Sequence, residues 1–169
     1  MSEDFTFNAG ITTADPDVKP VDDVNILDSL RAEIKRKVAR PTISMEVPER
    51  PNLTVRFSPN IRQEQIAEWR KRAGDGTKKG MSTTHFSCLI IANTCTGIYL
   101  NGEEVLDEAG NPVVFSSETM LSMTGTARVV EAIRSVYAVD PHVDMTALKI
   151  LEAAGYGDDL DAEENPTNT

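Results

Sequence analysis

Few residues in this chain have the types and spacing that chemistry needs. They are two histidines, His85 and His142, and two cysteines, Cys88 and Cys95. His85-x-x-Cys88, with Cys95 beyond it, approaches metal-ligand spacing. A closed zinc site takes four ligands, usually from two paired motifs, and the sequence supplies no second pair. A nucleophilic pair would join Cys88 or Cys95 to His142. Reactive thiols sit in exposed, electropositive surroundings, whereas these flank the apolar run Leu89-Ile90-Ile91-Ala92. On one helix, seven residues set the two sulfurs about 10 Å apart along the axis, too far for a disulfide. The expectation is two reduced thiols packed in a core, with no catalytic residue, no metal and no cofactor.

Two loops resemble ligand-binding motifs and fail on detail. Asp107 to Asn111 starts like a calcium loop, but Pro112-Val113-Val114-Phe115 follows in place of the closing glutamate. Gly74 to Gly80 is glycine-rich with two lysines but lacks the Gly-Lys-Ser/Thr ending of a phosphate loop; it reads as a flexible linker. Trp69-Arg70-Lys71-Arg72 with Lys78-Lys79 is the best nucleic-acid candidate. Trp69 falls on an apolar stripe and the pI is 4.7, which disfavours nucleic acid. An acidic tail or an acidic partner helix suits the same patch.

The elements that must position these residues follow from periodicity. Leu27, Leu30, Ile34 and Val38 share one stripe of a helix over 24–38, which Pro41 stops. Ile43, Met45 and Val47, then Leu53, Val55 and Phe57, alternate with polar residues and predict a hairpin. A helix is expected from Ser58-Pro59-Asn60 to residue 72, with Ile61, Gln65, Ile66 and Trp69 inward. Ser82 or Thr83 caps an almost wholly apolar helix over 84–96. Asn101-Gly102 between Ile98-Tyr99-Leu100 and Glu103-Glu104-Val105 is a tight primed turn. Helices are expected over 117–123, over 125–138 with Val129, Val130, Ile133 and Tyr137 inward, and over 142–154 with Met145, Leu148 and Leu151 inward. Gly155 suits a left-handed cap. The fold expected is α+β, mostly helical: a single globular domain over 24–154 with two short β-hairpins.

Charge sets the limits of that domain. Residues 1–23 carry six acids and one base, and residues 155–169 carry five acids and no base. Such segments bury too little apolar surface to offset ordering entropy, so disordered acidic tails are expected over 1–23 and 155–169. Between them, residues 24–79 carry 13 bases and 7 acids, and residues 80–154 carry 3 bases and 9 acids. This layout fits a protein that holds partners and stays soluble. No apolar stretch approaches the roughly 20 residues of a membrane span, and the start of the chain lacks the pattern of a signal peptide. A cytoplasmic protein is expected.

Four pieces, in this order, resemble the tail assembly chaperones of long-tailed phages that infect actinobacteria. They are Ile26-Leu27-Asp28-Ser29-Leu30-Arg31; Glu68-Trp69-Arg70-Lys71-Arg72-Ala73-Gly74; Ala92-Asn93-Thr94-Cys95 leading to Asn101-Gly102-Glu103; and Ala153-Ala154-Gly155-Tyr156-Gly157-Asp158-Asp159. The resemblance implies action in the host bacterial cytoplasm and absence from the mature virion. The partner it implies is the tape measure protein, a long helical polypeptide, with the tail tube protein as a further candidate. Self-association is a separate candidate, through the opposite charges of the two halves of the central domain. It also implies a longer form made by ribosomal frameshifting, for which Glu163-Glu164-Asn165-Pro166-Thr167 is a candidate junction.

Helix-in-groove binding needs an apolar docking surface. Val129, Val130, Ile133, Tyr137, Leu148 and Leu151, with the 24–38 helix, are the candidates for it. The alternatives are a structural virion protein, such as a connector or tail completion subunit, and a nucleic-acid-binding regulator.

Overall fold

The computed structural model describes residues 25–38 and 41–157. The acidic segments expected to be disordered lie, over 1–23 and from 158 on, outside the described residues. The chain divides into two units, Met1–Ala39 and Arg40–Thr169. The helix expected to open the central domain therefore belongs to the first unit.

That helix, α1, spans Ile26–Lys35. Asn25 caps it by accepting from the Leu27 amide at 3.1 Å, which satisfies one of the unpaired first-turn donors. Asp28–Arg31 and Glu33–Arg36 ion pairs run along its surface.

The second unit is α+β and mostly helical. Strands β1 (Ile43–Val47) and β2 (Arg50–Phe57) form the first expected hairpin. Strands β3 (Cys95–Leu100) and β4 (Glu103–Glu104) form the second, around Asn101 at φ 51° and Gly102 at φ 82°. The hairpins are not separate. β2 pairs antiparallel with β3, giving one four-stranded sheet in the order β1-β2-β3-β4. Met45, Val55 and Ile98 line up across its inner face. On the outer face the Arg56 guanidinium lies 4.5 Å from the centre of the Tyr99 ring.

Helix α2 spans Gln63–Arg72 and begins later than expected. Gln65, expected inward, is exposed, and its side chain accepts from the Arg62 amide at 2.9 Å. Helix α3 (Thr83–Thr94) is capped by Ser82 and runs without a connecting residue into β3. Cys95, expected on that helix, is thus the first residue of a strand. The Thr94 carbonyl, left over at the helix end, accepts from the Ser58 amide at 2.8 Å.

Helices α4 (Glu118–Thr124), α5 (Val129–Tyr137) and α6 (Asp140–Ala154) complete the unit. α5 starts four residues late because Gly125 closes α4 in the left-handed region. Val113 and Phe115 are fully buried in a loop. α3 packs against α6, α5 and α2. The core joins Val55 and Phe57 of the sheet to Ile90, Ile91, Ile133 and Ile150 of the helices.

Two expectations for α6 fail. Met145 is 54% exposed and Leu148 38%. Val143, Ala147, Ile150 and Leu151 face inward instead, with Thr146. The helix then ends in a Schellman motif, and this moves the start of the tail. Gly155 takes φ 96°, its amide donates to the Glu152 carbonyl, and the Tyr156 amide donates to the Leu151 carbonyl. Tyr156, expected in the tail, packs on the core, and its hydroxyl donates to the Ile61 carbonyl at 3.0 Å.

Candidate functional site

α1 presents an apolar stripe with nothing over it among the residues of its own unit that are described. Ile26, Leu27, Leu30, Ile34 and Val38 are 53–80% exposed. Lys35, Arg31 and Asp28 occupy the rest of its surface. Scattered exposed apolar residues are ordinary on a folded surface. Four of these lie on the ten-residue helix and form its patch. Val38, expected on the same stripe, falls beyond the helix end because the backbone turns extended at Arg36.

The six docking candidates separate by burial. Ile133, Tyr137 and Leu151 are at most 4% exposed and belong to the core. The Tyr137 ring lies 6.2 Å from that of Phe115, centre to centre. Burial pushes its hydroxyl well above the usual phenol range. Val129 and Val130 are half-buried against the core, and Leu148 is exposed. The structure does not bring these six into one accessible surface.

The second unit also has a polar cleft of about 380 Å³, lined by Ser82, Thr84, His85, Arg128, Arg134 and Asp140 among others. Several of its polar groups serve the fold. The Ser82 hydroxyl accepts from the His85 amide, and the Thr84 hydroxyl donates to Asp144 at 3.4 Å. Asp140 receives both Nε and Nη2 of Arg134, each at 3.0 Å. Arg128 and Arg134 are balanced by Glu131 and Asp140 along the same walls, so the cleft has no charge preference. These residues come from α3 with its cap and, much further along the sequence, from the neighbouring helices α5 and α6, so no single stretch announces them.

The thiols are inert by environment. Burial pushes the Cys88 thiol up to about 12 and the Cys95 thiol up to about 11. Both cysteines are free. A thiol in that range holds its proton at neutral pH and is a poor nucleophile. No group of three His, Cys, Asp or Glu side chains among the described residues could hold a metal ion.

The basic segment is better ordered than a linker. Trp69 is buried, while Lys71, Arg72, Lys78 and Lys79 are exposed. Gly74 sits at φ 105°, where a Cβ would meet the Gly80 carbonyl oxygen at 2.8 Å. The Thr77 hydroxyl donates to the Gly74 carbonyl at 2.6 Å. The Gly80 amide donates to Thr77 and the Ser82 amide to Ala73. Lys78 and Lys79 therefore project from a hydrogen-bonded turn.

No protein family, known protein or solved structure matches the chain on comparison. None of the described helices is long and apolar enough to cross a membrane.

Proposed function

We propose that this protein is a non-catalytic assembly chaperone of the long-tailed phage kind. It binds the tape measure protein in the host cytoplasm and keeps it soluble while the tail tube assembles. The observation that carries this reading is α1, whose apolar stripe is 53–80% exposed. Fully covering a leucine or isoleucine side chain is worth about 1.5–3 kcal/mol, so a helix of this kind favours a covered state. A long amphipathic polypeptide offers complementary stripes at many positions along its length, and helix-on-helix packing needs no pocket. The acidic N-terminal residues beside α1 would keep such a complex soluble.

The test is co-expression with the tape measure protein of the same phage. The native chain is expected to hold that protein in the soluble fraction. Leu27→Asp/Leu30→Asp/Ile34→Asp is expected to lose most of this effect while remaining folded. A tape measure protein equally insoluble with and without the native chain would refute the function. Equal rescue by the triple variant would refute α1 as the surface. Mass spectrometry of purified particles adds an independent check, since a chaperone is absent from them and a structural protein is present in fixed copy number.

A further inference from the structure

We infer that the acidic C-terminal segment, Asp158 to Glu164, docks on the basic surface formed by the end of α2 and the glycine turn that follows it. This is independent of the proposed function and rests on three observations. The first is charge. Residues 62–80 hold six bases against three acids, while residues 158–169 hold five acids and no base. Lys71, Arg72, Lys78 and Lys79 are exposed. The ion pairs of the described residues include none of these four.

The second is where the chain leaves the fold. The Schellman turn at Gly155 and the Tyr156 hydroxyl bond to the Ile61 carbonyl tie this end of the chain to the segment just before α2. The described chain ends one residue after Tyr156, whose hydroxyl reaches the residue before Arg62, itself exposed. The ten residues of α2 run about 15 Å to the basic end. Seven extended residues reach about 23 Å. The acids are thus long enough to lie along α2 and meet Lys71 and Arg72, with little room to spare. A short tether makes the effective concentration of acid at that surface high.

The third is preorganisation. The 74–80 turn is fixed by the Gly74 conformation and by bonds from Thr77, Gly80 and Ser82. Lys78 and Lys79 are therefore presented in place. Little backbone order has to be gained on their side when an acidic strand arrives. The pairs so formed are exposed and screened by salt. The contact is consequently a weak, salt-dependent clasp, which a more strongly anionic partner could displace.

The test uses the full chain and a variant with the segment neutralised, Asp158→Asn/Asp159→Asn/Asp161→Asn/Glu163→Gln/Glu164→Gln. Backbone amide spectra are compared at 20 mM and 500 mM NaCl. At low salt the variant is expected to shift the amides of residues 70–80 and to leave those of α5 and α6 in place. The native chain is expected to move toward the variant spectrum at high salt. Zero-length carbodiimide coupling of a mixture of labelled and unlabelled native chains gives the second readout. Links from Lys71, Lys78 or Lys79 to residues 158–164 within one chain support the docking. Links only between chains, links to other lysines alone, or unchanged amides at 70–80 would each overturn it.

Discussion

The Arg50 guanidinium donates to the Val136 carbonyl at 2.7 Å, across 86 residues of sequence. A second, longer bond reaches Ser135 at 3.5 Å. Both acceptors lie in the last turn of α5, where carbonyls have no partner within the helix and the dipole end favours a cation. The first hairpin is thereby fastened to the helical layer. Arg50→Ala is expected to lower stability by about 1 kcal/mol. Arg50→Lys should recover only part of that loss, because a lysine lacks the planar fork. Urea unfolding of the three proteins checks this.

Three described residues other than glycine have positive φ; asparagine tolerates this at Asn101, whereas Ala138 and Glu49 are poorly suited to it. Ala138 has φ 66° and ψ −41°, with the Val139 amide bonded to the Tyr137 carbonyl at 2.7 Å, a strained γ-turn between α5 and α6. Glu49 has φ 65° at the tip of the first hairpin. Ala138→Gly and Glu49→Gly are each expected to raise stability by up to about 1 kcal/mol, the relief of strain outweighing added freedom in the unfolded chain. A lower melting temperature for both would contradict this account.

Glycine is required at one place in the basic turn and is merely convenient at another. An alanine at Gly74 puts its Cβ 2.8 Å from the Gly80 oxygen, whereas one at Gly76 meets nothing within 4 Å. Both positions have positive φ. Gly74→Ala is expected to cost clearly more than the roughly 1 kcal/mol of Gly76→Ala. Thermal unfolding of the pair distinguishes a steric cause from a purely conformational one.

Core and surface on α5 and α6 should answer differently to truncation. Ile133→Ala removes a fully buried side chain and is expected to cost about 2–5 kcal/mol. Leu148→Ala trims a residue already 38% exposed and should stay within about 1 kcal/mol. A docking role for Ile133 would instead appear as lost partner binding with unchanged stability.

The thiols predict a pH dependence. Cys88 and Cys95 ionise near 12 and 11 in the folded chain, against 9.0 as the ordinary value, because burial disfavours thiolate. The folded state holds these protons where the unfolded state has released them. Their contribution to stability is intact below about pH 9 and is lost as pH rises through 11–12. Urea midpoints should fall more steeply from pH 9 to 10.5 for the native chain than for Cys88→Ala/Cys95→Ala. At pH 8 neither thiol should react with a disulfide reagent until the protein is unfolded.

Local chemistry was legible where a residue type has one good conformation. Asn101-Gly102 and Gly155 form the turn and the cap that their φ preferences imply. The apolar alternation of β1 and β2 also matches their burial. Pairing between distant segments was not legible, so the match of Val55 to Ile98 that fuses the two hairpins left no mark in either strand. Phase failed in α6, where small Ala147 and Thr146 face the core and larger Met145 and Leu148 face water. Size alone does not tell a core position from a surface one. Ile133 and Tyr137 read equally well as core or as docking surface, and only packing against Phe115 and α3 decided it. The cleft at Arg128 and Arg134 needed three elements brought together, which no single stretch encodes.

Thr94 ends α3 and Cys95 begins β3, with no residue between them to absorb a displacement. The most deeply seated helix and an inner strand of the sheet are joined directly. An inserted residue at that junction would swap the faces of Ile98 and Tyr99 along the whole strand. Length at this point is therefore as constrained as composition.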